Sequence, residues 1–565
     1  MFNSEQDHRD GYFDAENLRA IDRRRRAALQ EIDQAPFTWF HAKVCLIAGA
    51  GFFTDASYDL FAITLASVML GYVYGAGSSS NDGRMLSSNQ DLGIKVATPV
   101  GNLVGQLLFG WLADILGRKR MYGIELMIII IATFAQALAG DGHSIGIIGV
   151  LIVWRFLLGI GIGGDYPLSA IITSEFASVR IRGRMINAVF AMQGWGYLTA
   201  TLVAFIIITA YKTSILGDPS IDNPVHVDEI WRILIGLGCV PGCIALYFRL
   251  TIPETPRFTM DIERNIQQAS DDIKNVIATG DSTIGSDRLG YRFYTRKASW
   301  SDFLAYFGQW KNGRTLLGTA WSWFVVDIAF YGLTFNQPMV LKTLNLNATS
   351  TTGTTGTQLV YDNLRHLCIG NLIFCAGGLL PGCYFTFLFV DSWGRKPIQL
   401  MGFTLLTILF IAIGFGFDRL SATEPAKKGF VVLYCFINFF QNFGPNTTTF
   451  MVPGEVFPTR YRATAHGISA ACGKLGAIIA QVGFAKLNVM MGIKHMSSDG
   501  SFNRSLDIFA FFTFTGIFST LLLPETKGLS LEQLSNENQE YFSRGLVRTI
   551  QNRDKTETLN SASTL

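Results

Sequence analysis

Charged residues are scarce in this chain of 565 residues. Asp, Glu, Lys and Arg together make up 16% of it, whereas hydrophobic residues make up 49% and the mean hydropathy is +0.29. So little charge cannot cover the surface of a soluble protein whose apolar content is this high. The composition therefore excludes an ordinary soluble domain and indicates that much of the chain lies in a membrane.

Cysteines are also few, and neither charge sign is in large excess. The eight cysteines lie within or beside apolar segments and form no metal-like cluster, so we predict no disulfide framework, no metal site and no organic cofactor. The net charge of +3 suggests no nucleic-acid partner. No nucleophile and base pair or nucleotide-binding loop stands out, so we expect a protein that is not an enzyme.

Long apolar runs are abundant instead. A helix needs about 20 residues to cross a bilayer, and twelve runs are of suitable length, six in each half of the chain. They are 44–70, 96–113, 122–138, 147–176, 185–211, 230–248, 315–341, 367–390, 398–415, 430–452, 464–489 and 508–523. We therefore predict an all-α membrane protein with twelve transmembrane helices, since a soluble protein would rarely bury so many helices of this length.

The two halves repeat each other. GGDYPLSAIITSEF at 163–176 returns as GPNTTTFMVPGEVF at 444–457, and PET at 253–255 returns at 524–526. This long period predicts two homologous six-helix units rather than a solenoid of helix pairs. The predicted domains are an N-terminal segment 1–43, a first bundle 44–250, a linker 251–314, a second bundle 315–523 and a C-terminal tail 524–565.

Basic residues set the expected orientation. The short connections 117–120, 177–184, 391–397 and 456–463 hold ten Lys or Arg in 27 residues. Because connections rich in Lys and Arg face the cytoplasm, we expect both termini and the linker on that side. The first residues lack the apolar core of a cleaved signal peptide.

Charged residues inside the apolar segments are the first candidates for function, because a membrane tolerates them only when they are paired or face water. They are Asp55, Asp59, Arg155, Asp165, Asp327 and Lys474. Glu125 lies near the start of its segment. It is close enough to Arg120 in sequence that a structural, snorkelling role competes with a functional one.

The seventh segment carries a polar face. Trp323, Asp327 and Tyr331 recur every four residues and therefore share one side of a helix. Asp55 and Asp59 stand at the positions equivalent to Asp327 and Tyr331 in the first half. A Trp or Tyr alone is usually a packing residue, but the carboxylate between them favours a substrate-facing surface on a shared axis.

Lys474 adds a cation in the eleventh segment. It lies between Gly473 and Gly476, whose small size allows a neighbouring helix to approach. Such a lysine can form part of an anion site or can neutralise Asp327, and in a transporter the two roles can alternate.

Three stretches resemble the fungal and plant phosphate:proton symporters of the major facilitator superfamily. They are GGDYPLSAIITSEF at 163–176, WFVVDIAFYGL at 323–333 and FGPNTTTFMVPGEVFPTRYRATAHGISAACGK at 443–474. The resemblance extends from about residue 37 to 532 and is strongest to the fungal high-affinity members. By contrast, GWLADILGRKR, VDSWGRKP and the PET motifs are shared with sugar porters. The resemblance implies two pseudo-symmetric six-helix bundles that rock about a central substrate site.

Specific residues are implied by the same resemblance. The phosphate site would consist of Tyr166, Gln193, Trp323, Asp327, Tyr331, Asn446 and Lys474. The proton path would use Asp55, Asp59 and Asp165, with Glu125 and Arg155 as further members. The motif that contains Asp55 and Asp59 departs from the family pattern. The family reads T-D-[AS]-Y-D, whereas this chain has one residue more between Thr54 and Asp59, which rotates one carboxylate by about 100° unless a bulge absorbs it.

A cytoplasmic gate is implied as well. Its residues are Asp114, Arg118, Glu175, Arg182, Asp391, Arg395, Glu455 and Arg462. We expect Asp114 with Arg118, Glu175 with Arg182, and their second-half counterparts to form salt bridges between the bundles. These would favour the outward-open state. A simpler role in setting topology at helix ends is compatible with this one.

The sequence thus predicts a multi-pass plasma-membrane symporter that imports inorganic phosphate with protons, and its linker and tails are candidates for regulatory contacts. Three alternatives remain. A glycerophosphodiester or other organophosphate permease would have a larger site, and a nutrient sensor could combine binding with transport. An integral-membrane enzyme is the least favoured.

Overall fold

The computed structural model describes residues 27–54, 59–75, 85–218, 224–263, 299–343, 356–492 and 499–535. Every regular element in these ranges is helical, which confirms the all-α prediction. Eight of the helices in these ranges are long and apolar enough to cross a membrane, judged by length and composition alone. Four further spans, one at the start of the chain and three at its end, are shorter, interrupted or more polar.

The first half forms six spans. They are span 1, Trp39–Phe52 followed by Asp59–Tyr74; span 2, Ser88–Leu116; span 3, Arg118–Ala137; span 4, Ile147–Phe176; span 5, Arg182–Ala210; and span 6, Val225–Leu237 followed by Cys239–Thr251. The short helices Lys212–Gly217 and Pro256–Phe258 and the π-helix Thr259–Glu263 lie outside the spans.

The second half repeats this order. It contains span 7, Trp310–Thr334; span 8, Gly356–Phe374 with a π-helical turn at Cys375–Leu379 and a continuation Leu380–Trp393; span 9, Arg395–Ala422; span 10, Glu424–Asn442 followed by Pro445–Val456; span 11, Arg462–Gly492; and span 12, Asp499–Leu521. The short helices Trp300–Phe307, Gln337–Thr343 and Leu531–Leu534 lie outside these spans. Several predicted segments differ from the structure. The segments expected at 44–70 and 230–248 are each two helices, and the one expected at 367–390 contains the π-helical turn. The helix expected at 315–341 ends at Thr334, and the one expected at 430–452 is two helices.

The PET motifs explain part of the repeat. Gly117 and Gly394 connect spans 2 and 3 and spans 8 and 9 with φ of 104° and 102°, values that favour glycine. Glu254 accepts a hydrogen bond from Lys119 N at 3.2 Å, and Glu525 accepts one from Arg395 N at 3.0 Å. Each glutamate therefore caps the N-terminus of the helix that follows the glycine, where a negative charge is stabilised.

The two bundles meet through equivalent helices. Span 2 packs against span 11, and span 8 packs against span 5. Spans 4, 7 and 10 also pack against span 11. This arrangement surrounds a central space with spans from both halves, and some polar residues of spans 4, 5, 7, 10 and 11 line that space.

Candidate functional site

A small cavity lies between the two bundles. It is lined by Tyr166, Phe190, Gln193, Trp323, Asp327, Phe330, Tyr331, Asn446 and Lys474. The structure thus brings together all seven residues that the resemblance assigned to the phosphate site. The cavity leaves about 10 Å³ for the centres of water-sized molecules, which is room for about one water molecule. The side chains are therefore closely packed in this conformation.

The cavity contains a buried ion pair. Lys474 Nζ donates to Asp327 Oδ2 at 2.8 Å and to the Tyr331 hydroxyl at 2.9 Å. Both charged side chains are almost fully buried, at 1% and 3% exposure. A buried charge is tolerated when it is paired and hydrogen-bonded, so each of these two groups depends on the other. In this conformation Lys474 neutralises Asp327.

Aromatic rings surround the lysine. Its Nζ lies 4.8 Å from the ring centre of Tyr166 and 4.4 Å from that of Tyr331. The Tyr166 ring is 6.3 Å from the ring of Trp323, whose other neighbour is the ring of His466 at 5.3 Å. Rings that stabilise a cation therefore surround the lysine together with the carboxylate.

Gly473 allows span 11 to approach span 7. A Cβ atom there would lie 2.5 Å from Trp323 Cδ1 and 2.9 Å from Asp327 Oδ2. At Gly476 a Cβ atom would lie 2.4 Å from the carbonyl oxygen of Phe324. Small residues at these positions bring the backbones together, as in many membrane helix pairs, and so place Lys474 beside Asp327.

Span 10 breaks at the cavity, which sequence reasoning missed. Its second helix begins at Pro445, and Asn446 lines the cavity from the first turn. Gly444 permits the break, because a Cβ atom there would lie 2.4 Å from Phe440 O and 2.8 Å from Gly402 Cα. The adjacent Gly and Pro were the available signal. The break places the positive end of a half-helix beside the cavity.

Phe190 and Phe330 complete the lining and were also missed. Both are buried, at 2% and 4% exposure. Nothing in the apolar pattern distinguishes a phenylalanine that faces a cavity from one that packs in a core. They give the cavity apolar walls beside its few polar groups, an arrangement typical of small-molecule sites.

Two of the predicted proton-coupling residues lie together in the first bundle. Glu125 and Asp165 are both bound by Arg249, with Arg249 Nη2 2.8 Å from Asp165 Oδ1. Glu125 is fully buried, so the alternative in which it snorkels toward Arg120 is wrong. Arg249 was missed because it directly follows the predicted apolar segment 230–248.

The other proton-coupling candidates lie elsewhere. Arg155 is ten residues before Asp165 on span 4, about 15 Å along the helix, and donates to Ile94 O at 2.9 Å and Gln136 Oε1 at 3.4 Å. Asp55 lies outside the described residues. Asp59 begins the second helix of span 1, and its side chain is outside the description.

The two bundles are joined by ion pairs on the face that holds the short basic connections, which we call the charged face. Arg182 Nε lies 3.1 Å from Glu455 Oε1, and Arg462 Nη1 lies 2.7 Å from Glu175 Oε1. Each glutamate therefore pairs with an arginine of the opposite half. The expected pairing of Glu175 with Arg182 is wrong. Glu175 lies at the end of span 4 and Arg182 at the start of span 5, and each side chain pairs with a residue of the other bundle instead.

The pairs of Asp114 with Arg118 and of Asp391 with Arg395 on the charged face differ from our expectation of salt bridges between the bundles. Arg118 pairs with Asp114 at 3.2 Å and Arg395 with Asp391 at 3.0 Å, each pair inside one half. Backbone groups make the links to the other half. Arg118 donates to Thr459 O at 2.7 Å, and Asp114 accepts from Thr464 N at 2.8 Å. Asp114 thus caps span 11 across the interface, and Asp391 caps span 5 by accepting from Arg184 N at 3.1 Å. Among the described residues, the only salt bridge that either pair makes across the halves is the long contact of Asp391 with Arg184 at 3.9 Å.

Arg257 adds a clip on the same face. Its guanidinium donates to Asp33 at 2.9 Å, to Glu532 at 2.9 Å and to the carbonyl oxygen of Glu175 at 2.6 Å. Burial raises the pKa of Glu532, but Arg257 outweighs it and holds that pKa at about 2. Burial raises the pKa of Asp33 in spite of the same arginine. The clip ties the segments before span 1 and after span 12 to the end of span 4 on the charged face.

On the opposite face, the contacts between the halves described below include no ion pair. The Tyr197 hydroxyl lies 2.5 Å from Gln337 Oε1 and 2.9 Å from Asn371 Oδ1, so span 5 contacts the second half. Lys212 Nζ lies 5.5 Å from the ring centre of Tyr361, again across the halves. With both faces closed, the cavity is occluded.

Two pseudo-symmetric helical bundles around an occluded, charged cavity define a secondary transporter of the major facilitator type. The sequence model described as "Sugar (and other) transporter" matches residues 44–537. The chain therefore belongs to this family of transporters, and it is not an enzyme.

Relatives and solved structures agree with this assignment. The chain is 46% identical over 540 residues to the repressible high-affinity phosphate permease of Neurospora crassa, covering 93% of this chain and 92% of that one. It is 44% identical over 564 residues to the inorganic phosphate transporter PHO84 of Saccharomyces cerevisiae, covering 96% and 91%. The fold is similar to that of the proton:xylose symporter XylE, with a TM-score of 0.62 at 20% identity over 88% of this chain and 98% of that one. The resemblance to fungal phosphate transporters is thereby confirmed.

Proposed function

We propose that this protein imports inorganic phosphate together with protons across the plasma membrane by alternating access. The charged face and both termini lie in the cytoplasm. The observation that carries the proposal is the buried unit of Lys474, Asp327 and Tyr331 in a cavity between the bundles. The phosphate permeases among the relatives support the choice of substrate.

The cavity chemistry suits dihydrogen phosphate. This ion carries bare oxygens that need donors and P–OH groups that need an acceptor. Donors are available from the lysine ammonium, the two tyrosines, the tryptophan and two side-chain amides: Lys474, Tyr166, Tyr331, Trp323, Gln193 and Asn446. Asp327 is the acceptor. The N-terminal half-turn of the second helix of span 10 adds backbone N–H groups and a partial positive charge.

Binding changes the pairing inside the cavity. Phosphate that enters between Lys474 and Asp327 replaces the 2.8 Å ion pair with a lysine–phosphate pair, and Asp327 then accepts the hydrogen bond of a P–OH group. A ligand shifts a conformational equilibrium only when it binds the two states differently. Asp327 of span 7 and Lys474 of span 11 both change partners on binding. The bound state therefore differs from the free state in the cavity, where the bundles meet.

Proton coupling follows from the electrical cost of import. Moving a monoanion into a cell that is negative inside costs about 2.3 kcal/mol for each 100 mV. One co-transported proton cancels this cost, and a second makes entry electrically favourable. The buried carboxylates Glu125 and Asp165 in the first bundle are groups that can carry such protons.

Uptake measurements test the proposal. Cells that lack phosphate transport and express this protein should concentrate radiolabelled phosphate at acidic external pH, and a protonophore should abolish the concentration. Cells that express Asp327→Asn at the same surface abundance serve as the inactive reference. Concentration that persists with the protonophore would contradict proton coupling, and competition by glycerophosphodiesters stronger than by phosphate would indicate the organophosphate alternative.

A further inference from the structure

A second buried charge cluster lies in the first bundle, outside the cavity lining. We call Arg249, Glu125, Asp165, Tyr122 and Ser169 the Arg249 cluster. Arg249 Nη1 binds Glu125 Oε1 and also donates to Tyr122 O at 3.2 Å, while Nη2 binds Asp165 Oδ1 at 2.8 Å. Ser169 donates to the same Asp165 oxygen at 2.8 Å, and its hydroxyl lies 3.0 Å from that of Tyr122. One guanidinium therefore holds carboxylates from spans 3 and 4.

The guanidinium is firmly placed. Arg249 is 2% exposed, and its Cζ atom lies 3.8 Å from the ring centre of Tyr122. Span 1 closes over the cluster at Gly51, where a Cβ atom would lie 1.8 Å from Arg249 Nη2 and 2.7 Å from Asp165 Oδ2. Only a residue without a side chain fits there. The cluster thus joins spans 1, 3, 4 and 6.

The charges of the cluster do not balance when both carboxylates are ionised. Arginine stays protonated in proteins, so one positive charge faces two negative ones, and an excess charge that deep in the bundle is costly. A single proton on either Glu125 or Asp165 makes the cluster neutral. The planar fork of Arg249 can then keep an ion pair with the carboxylate that remains ionised.

The described stretches of spans 1 and 6 that pack on this cluster add no charge beyond Arg249 itself. Between residues 44 and 54 span 1 has no charged side chain, and Arg249 is the one charged residue of the helix Cys239–Thr251. Tyr122 and Glu125 of span 3 contact Arg249, and so does Asp165 of span 4. Asp165 directly precedes Tyr166, which lines the cavity. A change at the cluster therefore reaches the substrate site through one helix of the first bundle.

We propose that Arg249 is the positioning residue of the proton-coupling step, an inference that rests on the proposed function. Arg249 holds Glu125 and Asp165 so that together they bind one proton from the external solvent. The proton adds to a carboxylate oxygen, Arg249 keeps its ion pair with the other carboxylate, and the proton leaves to the cytoplasmic solvent after the bundles have rocked. Lysine cannot reproduce this role fully, because it lacks the two-armed geometry.

Reconstituted full-length protein separates this role from substrate binding. In proteoliposomes, phosphate counterflow at equal pH on both sides reports binding and rocking, and accumulation driven by a pH gradient reports coupling. We expect Arg249→Gln to keep counterflow within about threefold of the unaltered protein but to lose at least about tenfold of the gradient-driven accumulation. We expect Arg249→Lys to recover part of the accumulation with a displaced pH profile.

Arg232→Gln is the matched control, because Arg232 also forms an ion pair with a carboxylate of span 6, Asp228 at 2.8 Å, but far from the cluster. Its ratio of accumulation to counterflow should equal that of the unaltered protein. A normal ratio and an unchanged pH profile in Arg249→Gln would overturn the inference while leaving the proposed function intact. If the unaltered protein itself does not accumulate phosphate, the proposed function is what fails.

A double variant covers the case in which Arg249→Gln does not fold. Arg249→Gln with Glu125→Gln removes one charge of each sign, so it leaves a single buried carboxylate instead of two. We expect this variant to show counterflow and no accumulation. Accumulation at the level of the unaltered protein would overturn the inference, and so would a pH profile of Arg249→Lys identical to the original.

Discussion

At the scale of single residues, Asp327 has two roles that one substitution removes together. It is the carboxylate partner of Lys474 and the acceptor for a P–OH group. Asp327→Asn leaves the buried lysine without its counter-charge, a change that costs several kcal/mol for a buried pair. We expect accumulation to fall by more than about a hundredfold, measured as uptake at equal surface abundance. Asp91→Asn, a change at a partly exposed ion pair, is the control and should leave uptake unchanged.

Selectivity is also decided at this scale. Sulfate has the shape of phosphate but carries no proton near neutral pH, so one of its oxygens would face ionised Asp327 and be repelled. Arsenate matches phosphate in shape and protonation. We expect arsenate to compete strongly in uptake assays and sulfate to compete weakly. Equal inhibition by both anions would show that Asp327 does not recognise the proton of the substrate.

At the scale of elements, the break in span 10 carries the next prediction. Gly444→Ala places a methyl group 2.4 Å from Phe440 O and 2.8 Å from Gly402 Cα, both in the backbone. The second helix of span 10 must move, and with it Asn446 and the half-helix N-terminus. We expect at least about tenfold weaker phosphate binding or a clearly lower melting temperature. Isothermal titration and thermal unfolding of the purified protein measure these two quantities.

Gly429→Ala is the control for this element. It lies on the first helix of span 10, and an added Cβ atom would meet nothing within 4 Å. Alanine is favoured over glycine inside a helix by about 0.5–1 kcal/mol, so this variant should be as stable as the original or slightly more so. If both alanine variants behave alike, the close approach at Gly444 does not determine the site.

At the scale of the whole molecule, the ion pairs of the charged face hold the bundles together. Glu175→Gln removes the carboxylate that Arg462 reaches from the other half at 2.7 Å, and both side chains are buried. We expect a population shift toward opening on the charged face, seen as faster hydrogen exchange in residues 456–463. Arg184→Gln affects a longer, half-exposed pair at 3.9 Å. Such a pair contributes about 0–1 kcal/mol, so exchange should stay unchanged.

The Arg257 clip gives a pH prediction at the same scale. Glu532 has a pKa of about 2, below the 4.5 of the free side chain. A lowered pKa stabilises the folded state above pH 4.5, and this stabilisation is lost as the pH falls through 2. Glu532→Gln should therefore lower the melting temperature by the same amount at pH 5.5 and pH 7.5. A loss that appears at only one of these pH values would contradict the assignment.

Much of this architecture follows from the sequence alone. Apolar runs predict membrane spans because a bilayer requires about 20 apolar residues for each helix. The repeated motif that contains Glu175 in the first half and Glu455 in the second indicates two equivalent halves. The four-residue spacing of Trp323, Asp327 and Tyr331 puts them on one side of span 7 wherever that helix packs. The resemblance named the seven residues that the structure brings into one cavity.

Tertiary structure alone decided which partners meet. The sequence shows Glu175, Arg182 and Arg462, but it does not show how the two bundles pack. That packing pairs Glu175 with Arg462 of the other half instead of with Arg182, its neighbour in sequence. Arg249 lies just outside the apolar run of its segment, and only the packing of spans 3 and 4 brings Glu125 and Asp165 to it. Local patterns describe one helix at a time, whereas the partner of a buried charge depends on how several helices pack, because the charge pairs with whichever opposite charge that packing brings within reach.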